Sequence, residues 1–119
     1  MAVKTFEISS LIVYFMSSTL PHASVATVVT VLTGSPLIIN CPSKFVPPTW
    51  SWMGPKQGQS KTLAFSGTQP HPNLKDARFE FSKNGTNFQL RLKDVRESDA
   101  GTINCQGDTF LPTVVNVIR

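Results

Sequence analysis

The feature that most restricts the fold of this chain is its pair of cysteines, Cys41 and Cys105, which are 64 positions apart. The chain has no other cysteine. In an exported protein such a pair is typical of a disulfide, and two ligands are too few for a structural metal site. A bridge that closes so long a loop stabilises a fold by about 4 kcal/mol. The pair therefore predicts one covalent link within a single core.

The first 26 residues have the composition of a secretory signal. Lys4 precedes an apolar run over residues 8–20, which is too short to span a membrane, and Ser24-Val25-Ala26 offers the small residues that signal peptidase requires. An acidic residue before the run is unusual, so an ordinary N-terminal strand is the alternative. We predict a signal peptide over residues 1–26, a domain over residues 27–119, and a secreted protein or the extracellular part of a surface receptor.

Length and alternation indicate one all-β domain. At 119 residues with 40% hydrophobic content, the chain is long enough for one core. Leu37, Ile39 and Cys41 form one apolar face with a period of two. Asn84-Gly85 predicts a hairpin turn, and Asn84 also begins an Asn-Gly-Thr glycosylation sequon. Further strands are predicted over residues 61–65, 77–82, 87–92 and 113–118, whereas prolines make a regular strand unlikely over residues 66–75.

The composition excludes several classes of function. The net charge of +4 is scattered and not interleaved with aromatic residues, which argues against a nucleic-acid site. Beyond residue 26, His71 is the only histidine, and no carboxylate pair has a base or nucleophile arranged around it. We therefore expect no enzyme activity, no metal and no cofactor.

Three landmarks in order resemble the framework of the immunoglobulin superfamily: Cys41, Trp52, and Asp99-Ala100-Gly101-Thr102-Ile103-Asn104-Cys105. The alternation places Trp50 and Trp52 on one side, so one of them should cover the disulfide. The resemblance favours Trp52 and implies a variable-type antiparallel sandwich of two sheets with one inter-sheet disulfide. The core positions are then Trp52, Leu90 and Ile103. Ile103 stands where the family has a tyrosine, so that tyrosine's hydrogen bond to the backbone is missing.

The same resemblance implies a salt bridge between Arg78 and Asp99. The Phe-Gly-x-Gly signature of rearranged antigen receptors is absent. Within the superfamily, separate stretches between residues 61 and 105 are similar to programmed-death checkpoint receptors. That similarity implies a domain that binds a related immunoglobulin-type ligand through the sheet containing its third, sixth and last strands.

Alternation also predicts which side chains point away from the core. The resulting ligand-binding hypothesis comprises Met53, Ala64, Asn104, Gln106 and Val114, with Phe110 and Leu111 in an apolar loop at the edge. A loop that packs onto its own sandwich would explain those last two residues equally well. The other sheet, with Glu80, Gln89 and Arg91 outward and a sugar on Asn84, is predicted to be the poorer binding surface.

Three classes of function remain open at this point. The first is an immune receptor, or its soluble form, that binds a protein ligand, and a checkpoint-type inhibitory receptor is one form of it. The second is an adhesion module that forms homodimers. The third is an innate recognition molecule for microbial glycans, although the exposed aromatic and acidic loop residues that such a site needs are few.

Overall fold

The computed structural model describes residues 26–119, and the predicted signal peptide lies outside them except for Ala26. The described part is built of strands with one short 3-10 helix, Glu97–Asp99. The strands are β1 (Thr27–Leu32), β2 (Leu37–Pro42), β3 (Thr49–Met53), β4 (Ser60–Phe65), β5 (Gln69–Pro70), β6 (Phe79–Asn84), β7 (Asn87–Leu92), β8 (Gly101–Gln106) and β9 (Phe110–Ile118).

These strands form two sheets. The larger has the order β1-β9-β8-β3-β4-β5 and the smaller has the order β2-β7-β6. Every pairing is antiparallel except that of β1 with β9, which is parallel. The predicted all-β sandwich is confirmed, with this one parallel pair as an addition.

The disulfide joins the two sheets. Cys41 in β2 and Cys105 in β8 have Cα atoms 6.4 Å apart, within the range that a disulfide requires. Alternating residues of β2 and β7 are buried against the larger sheet, and they include Leu37, Leu90 and Leu92. The core therefore lies between the sheets and surrounds the bridge, as the cysteine spacing predicted.

The expected position of Trp52 over the disulfide is wrong, because Trp50 occupies that place. Trp50 is fully buried and lies opposite Cys105 in the β3–β8 ladder, whereas Trp52 lies opposite Ile103 and is half-buried. The Trp52 indole N–H donates to the backbone oxygen of Asp99 at 3.1 Å. Both indoles face inward, so alternation alone could not separate them. Leu90 and Ile103 are buried in the core as expected.

A β-bulge reverses the predicted direction of Ala64. Trp50 pairs with Ala64 but Ser51 pairs with Thr62, so Leu63 is an extra residue in β4. Leu63 and Ala64 are consequently both fully buried. The assignment of Ala64 to the ligand-binding face is therefore wrong, since strict alternation does not hold across a bulge.

The last strand begins three residues earlier than predicted. Phe110 and Leu111 pair with Gln106 and Cys105, so they belong to β9 and not to a protruding loop. Leu111 lies opposite the inward-facing Cys105 and packs against the core, which makes its assignment to the ligand-binding edge wrong. A two-residue strand, β5, also occurs in the region where no regular strand was expected.

At one end of the sandwich Arg78 lies between two carboxylates. Its guanidinium pairs with Asp99, as the resemblance implied, and also with Asp76, with Nη2 2.7 Å from Oδ2 of Asp76. Hydrogen bonds from Arg78 lower the pKa of Asp76, and those to Asp99 and Asp76 raise the pKa of Arg78. The cluster therefore fixes the segment before β6 to the helical turn before β8.

Candidate protein-binding face

The outward surface of the larger sheet brings most of the predicted ligand-binding residues together. We call the outward-facing side chains of β3, β4, β8 and β9 the recognition face. Met53, Thr102 and Val114 form one row across three strands, since each lies opposite the next in the ladder. Gln106 and Phe110 form another pair nearer the turn between β8 and β9. Paired residues on neighbouring strands lie close enough for one partner surface to contact both.

Apolar side chains are exposed on this face. Met53 and Phe110 are 51% and 52% exposed, and Val114, at the other end of the row from Met53, is half-buried. Phe65, which follows the inward-facing Ala64, is also exposed, and its ring centroid is 5.1 Å from that of His71. A folded chain leaves some apolar residues exposed without consequence, but several on one sheet face are typical of an interaction surface.

The recognition face has no charged side chain. Lys61 is the only charged residue in β3, β4, β8 and β9. It lies opposite the inward-facing Trp52, and its ammonium is 5.1 Å from the centre of that ring and 5.8 Å from the ring of Phe79. The exposed Lys61 side chain thus lies over one ring from each sheet and does not belong to the recognition face. Polar groups on the face are hydroxyls and amides only.

Asn104 contributes less surface than predicted. It is buried, with 7% of its surface exposed, although it lies in the outward row with Ser51 and Pro112. The burial of Asn104 leaves it little surface for a ligand to contact, so its assignment to the ligand-binding residues is corrected. Gln106, two residues closer to the turn, is exposed.

The outward surface of the smaller sheet differs in chemistry. Lys93 and Glu80 form an exposed ion pair of 3.4 Å, and Arg91 is exposed. The side-chain oxygen of Asn40 accepts hydrogen bonds from Gln89 at 3.0 Å and from Asn87 at 3.3 Å. Charged and mutually hydrogen-bonded groups would all have to be desolvated by a partner, which is costly.

A loop that no sequence pattern predicted to be part of the site lies beside the recognition face. In the turn between β8 and β9, the Asp108 carboxylate accepts the backbone N–H groups of Lys44 at 2.6 Å, Phe45 at 3.1 Å and Val46 at 2.7 Å. The N–H of Asp108 donates to the hydroxyl of Ser43 at 2.9 Å. The β2–β3 loop is thus fastened to the β8–β9 turn.

This loop presents the most exposed of the large apolar side chains in the described part of the chain. Phe45 is 79% exposed, and Val46 is 49% exposed. The backbone N–H of Phe45 and its neighbours lower the pKa of Asp108, so the carboxylate is ionised and accepting at neutral pH. The apolar run Phe45-Val46-Pro47-Pro48 was visible in the sequence, but its fastening to a residue more than 60 positions later was not.

Other kinds of site find little support within residues 26–119. No three His, Cys, Asp or Glu side chains converge there to hold a metal ion, and no helix of that part is long and apolar enough to cross a membrane. An open cleft of about 520 Å³ lies beside β4 and is lined in part by Lys61, His71, Lys75 and Asp76. It lacks an arrangement of nucleophile and base for catalysis.

Two comparisons with known proteins bear on this architecture. The family model of the immunoglobulin V-set domain matches residues 24–116, which is well over half of the chain. No curated protein matches the sequence. The family match covers the disulfide, both sheets and the recognition face.

Proposed function

This chain belongs to the immunoglobulin V-set family, and we propose that it binds a protein ligand through the recognition face as the extracellular domain of an immune receptor or its soluble form. Domains of this family are typically extracellular recognition modules without enzyme activity. The observation that carries the proposal is the absence of charge from the outward surface of four adjacent strands, together with exposed Met53, Phe65 and Phe110.

The chemistry of the face supports a protein ligand. The centres of protein interfaces are depleted in charged residues and enriched in aromatic residues and methionine. A face of hydroxyls, amides and apolar side chains can be desolvated at low cost, because no isolated charge is buried. The β-sheet beneath it is rigid, so little conformational entropy is lost when a partner docks.

The form of the face favours another immunoglobulin-type domain as the partner. A sheet surface is broad and nearly flat, and it complements a second sheet surface better than it encloses a small molecule. The fastened loop with Phe45 and Val46 lies at the same end of the sandwich as Phe110, and it would extend the contact beyond the sheet. The stretches similar to programmed-death checkpoint receptors support an inhibitory receptor as the specific form of this function.

The binding test begins with a screen of the domain against a panel of extracellular immunoglobulin-type domains from the same organism. With the ligand found, Met53→Ala and Phe110→Ala should each weaken binding by about 1–3 kcal/mol, because central contact residues carry most of the binding energy. Ile38→Ala is a matched control, since Ile38 is 50% exposed on the outward surface of the smaller sheet. Glu80→Ala and Arg91→Ala should also have almost no effect.

Each variant must retain the near-ultraviolet circular dichroism of the folded domain, because Met53 is adjacent to Trp52. Loss of binding in Ile38→Ala, Glu80→Ala or Arg91→Ala, with Met53→Ala and Phe110→Ala unaffected, would show that the ligand binds the smaller sheet. A positive result on a glycan array with no protein ligand would favour the innate recognition alternative instead.

We also propose that the domain is exported after cleavage behind Ala26. The support is the sequence order of a basic residue, an apolar run of limited length and small residues. Mass spectrometry of the product secreted by animal cells should find Thr27 as its first residue. A secreted product that retains Met1 would contradict the proposal.

A further inference from the structure

The edges of the two sheets are protected to different degrees. An exposed edge strand can pair with another chain, and proteins usually prevent this with charges, prolines or very short strands. In the larger sheet one edge is β5, which has two residues and includes Pro70. In the smaller sheet β6 carries Glu80 and Lys83, and β2 follows Pro36 and ends at Pro42.

The remaining edge, β1, has none of these protections. Its sequence is Thr-Val-Val-Thr-Val-Leu, and no charged residue occurs from Thr27 to Ser43. Five of its six residues are valine or threonine, which have a high preference for strands, and its length is typical of a strand. Among residues 26–119, β9 is the only strand that pairs with it.

Within residues 26–119, the outer side of β1 has backbone groups available for pairing. The N–H of Thr33 donates to the carbonyl oxygen of Ile118 at 2.8 Å, which continues the β1–β9 ladder. Backbone groups of successive strand residues point to opposite sides. The N–H and C=O groups of Val28, Thr30 and Leu32 therefore point away from β9, toward the open side.

Apolar side chains lie along the same edge. Val28 is 41% exposed and Leu32 is 52% exposed. Leu32 lies next to Ile118 in the parallel ladder, and Ile118 is 50% exposed. An apolar strip thus accompanies the backbone groups that point away from β9.

We propose that two copies of this chain pair antiparallel along β1, with the two-fold axis between their Thr30 residues. In this register Val28 lies opposite Leu32 of the second copy, Val29 opposite Val31, and Thr30 opposite Thr30. Every pair combines β-branched or aliphatic residues, and such cross-strand pairs stabilise antiparallel ladders. No like charges oppose each other, since β1 carries none.

The self-complementary pattern is the reason to choose a second copy as the occupant. A two-fold interface uses the same residues from both partners, so it requires a strand whose residues pair favourably with those of the same strand running in the opposite direction. The pairing would join two six-stranded sheets into one continuous sheet. Met53 and Phe65 lie in β3 and β4, which β9 and β8 separate from β1. Dimer formation along β1 therefore does not depend on a ligand at the recognition face.

Sedimentation velocity of the secreted protein at rising concentrations tests the proposal, with its N-terminus read by mass spectrometry. We expect a reversible dimer, which is weak because a single pair of short strands buries less area than a standard interface. Thr30→Lys should raise the dissociation constant roughly tenfold or more, because it places two ammonium groups at the axis. Ser82→Lys on β6, an exposed edge strand of the smaller sheet, is the matched control and should leave the constant unchanged.

Cysteine cross-linking gives a second measurement that does not depend on the tolerance of a lysine. Hydrogen-bonded antiparallel partners have Cα atoms about 5.5 Å apart, a distance that a disulfide can bridge. Under mild oxidation Thr30→Cys should form a covalent dimer, while Ser82→Cys should not. A monomer at all concentrations, a dimer lost only in Ser82→Lys or Met53→Lys, or equal cross-linking of both cysteine variants would overturn the proposal.

Discussion

Arg78 and Asp99 form a two-pronged ion pair, in which Nη1 of Arg78 is 2.8 Å from Oδ2 of Asp99 and Nη2 is 3.0 Å from Oδ1. Both side chains are largely buried, at 14% and 10% exposure. Oδ2 also accepts the backbone N–H of Arg96 at 2.7 Å. One carboxylate therefore connects the start of β6 with the turn before β8, and it does so in a setting where solvent screening is weak.

Removal of Asp99 should destabilise the domain strongly. Asp99→Ala leaves the buried Arg78 guanidinium with one carboxylate partner and frees the Arg96 N–H, so we expect a loss of about 3 kcal/mol in the free energy of unfolding. Arg78→Lys should lose about 1–3 kcal/mol, since an ammonium cannot donate to two carboxylates in the same forked geometry. Urea denaturation measures both.

The exposed pair of Lys93 and Glu80 provides the control. Because both side chains are about half exposed, Glu80→Ala should change stability by no more than about 0.5 kcal/mol. A comparable loss in the free energy of unfolding for Glu80→Ala and Asp99→Ala would show that burial of the Arg78 cluster contributes nothing to stability.

Stability should fall at acid pH in part through Asp76. Hydrogen bonds from Arg78 hold the pKa of Asp76 below its unfolded value. This stabilisation is complete above the unfolded pKa, at about pH 4, and it is lost as the pH falls through the folded pKa. Denaturation of wild type and Asp76→Asn between neutral pH and about pH 2 should show the wild-type advantage shrinking toward the acid end. An advantage that stays constant over this range would contradict the linkage.

The two tryptophans should differ in their contribution to stability. Trp50→Ala removes a fully buried indole beside the disulfide and should cost about 3–5 kcal/mol. Trp52→Ala removes a half-buried ring and one hydrogen bond, so a loss of about 2 kcal/mol is expected. Urea denaturation of the two variants decides the order. A larger loss for Trp52→Ala would restore the family-based expectation that Trp52 is the central core residue.

Asn84 should carry an N-linked glycan. It is exposed at the end of β6, where Gly85 adopts a positive φ of 64° and turns the chain into β7. Enzymatic removal of N-linked sugar from the native secreted protein should lower its mass and leave ligand affinity nearly unchanged, because the hairpin belongs to the smaller sheet. Asn84→Gln is the control and should show no mass change. An unchanged mass for wild type would mean that the sequon is unoccupied.

Local sequence patterns determined most of the strands, though not β1 or β5, and the side that each residue takes within a regular strand. The alternation of Leu37, Ile39 and Cys41 placed them in the core, and Asn84-Gly85 located the β6–β7 hairpin. These features were predictable because strand alternation and turn geometry depend on residues only a few positions apart. The resemblance to the immunoglobulin superfamily also predicted the salt bridge between Arg78 and Asp99, which strand alternation alone does not predict.

Only the tertiary structure decided which residues lie opposite each other. The register of β3 against β8 placed Trp50, and not Trp52, beside Cys105, and the bulge in β4 turned Ala64 into the core. The fastening of Phe45 by Asp108 joins residues 63 positions apart, and no local pattern records it. Alternation specifies the side of its own strand on which a residue lies. Whether that residue is buried depends on the neighbouring strand that covers that side, and this neighbour is fixed only when the two sheets pack.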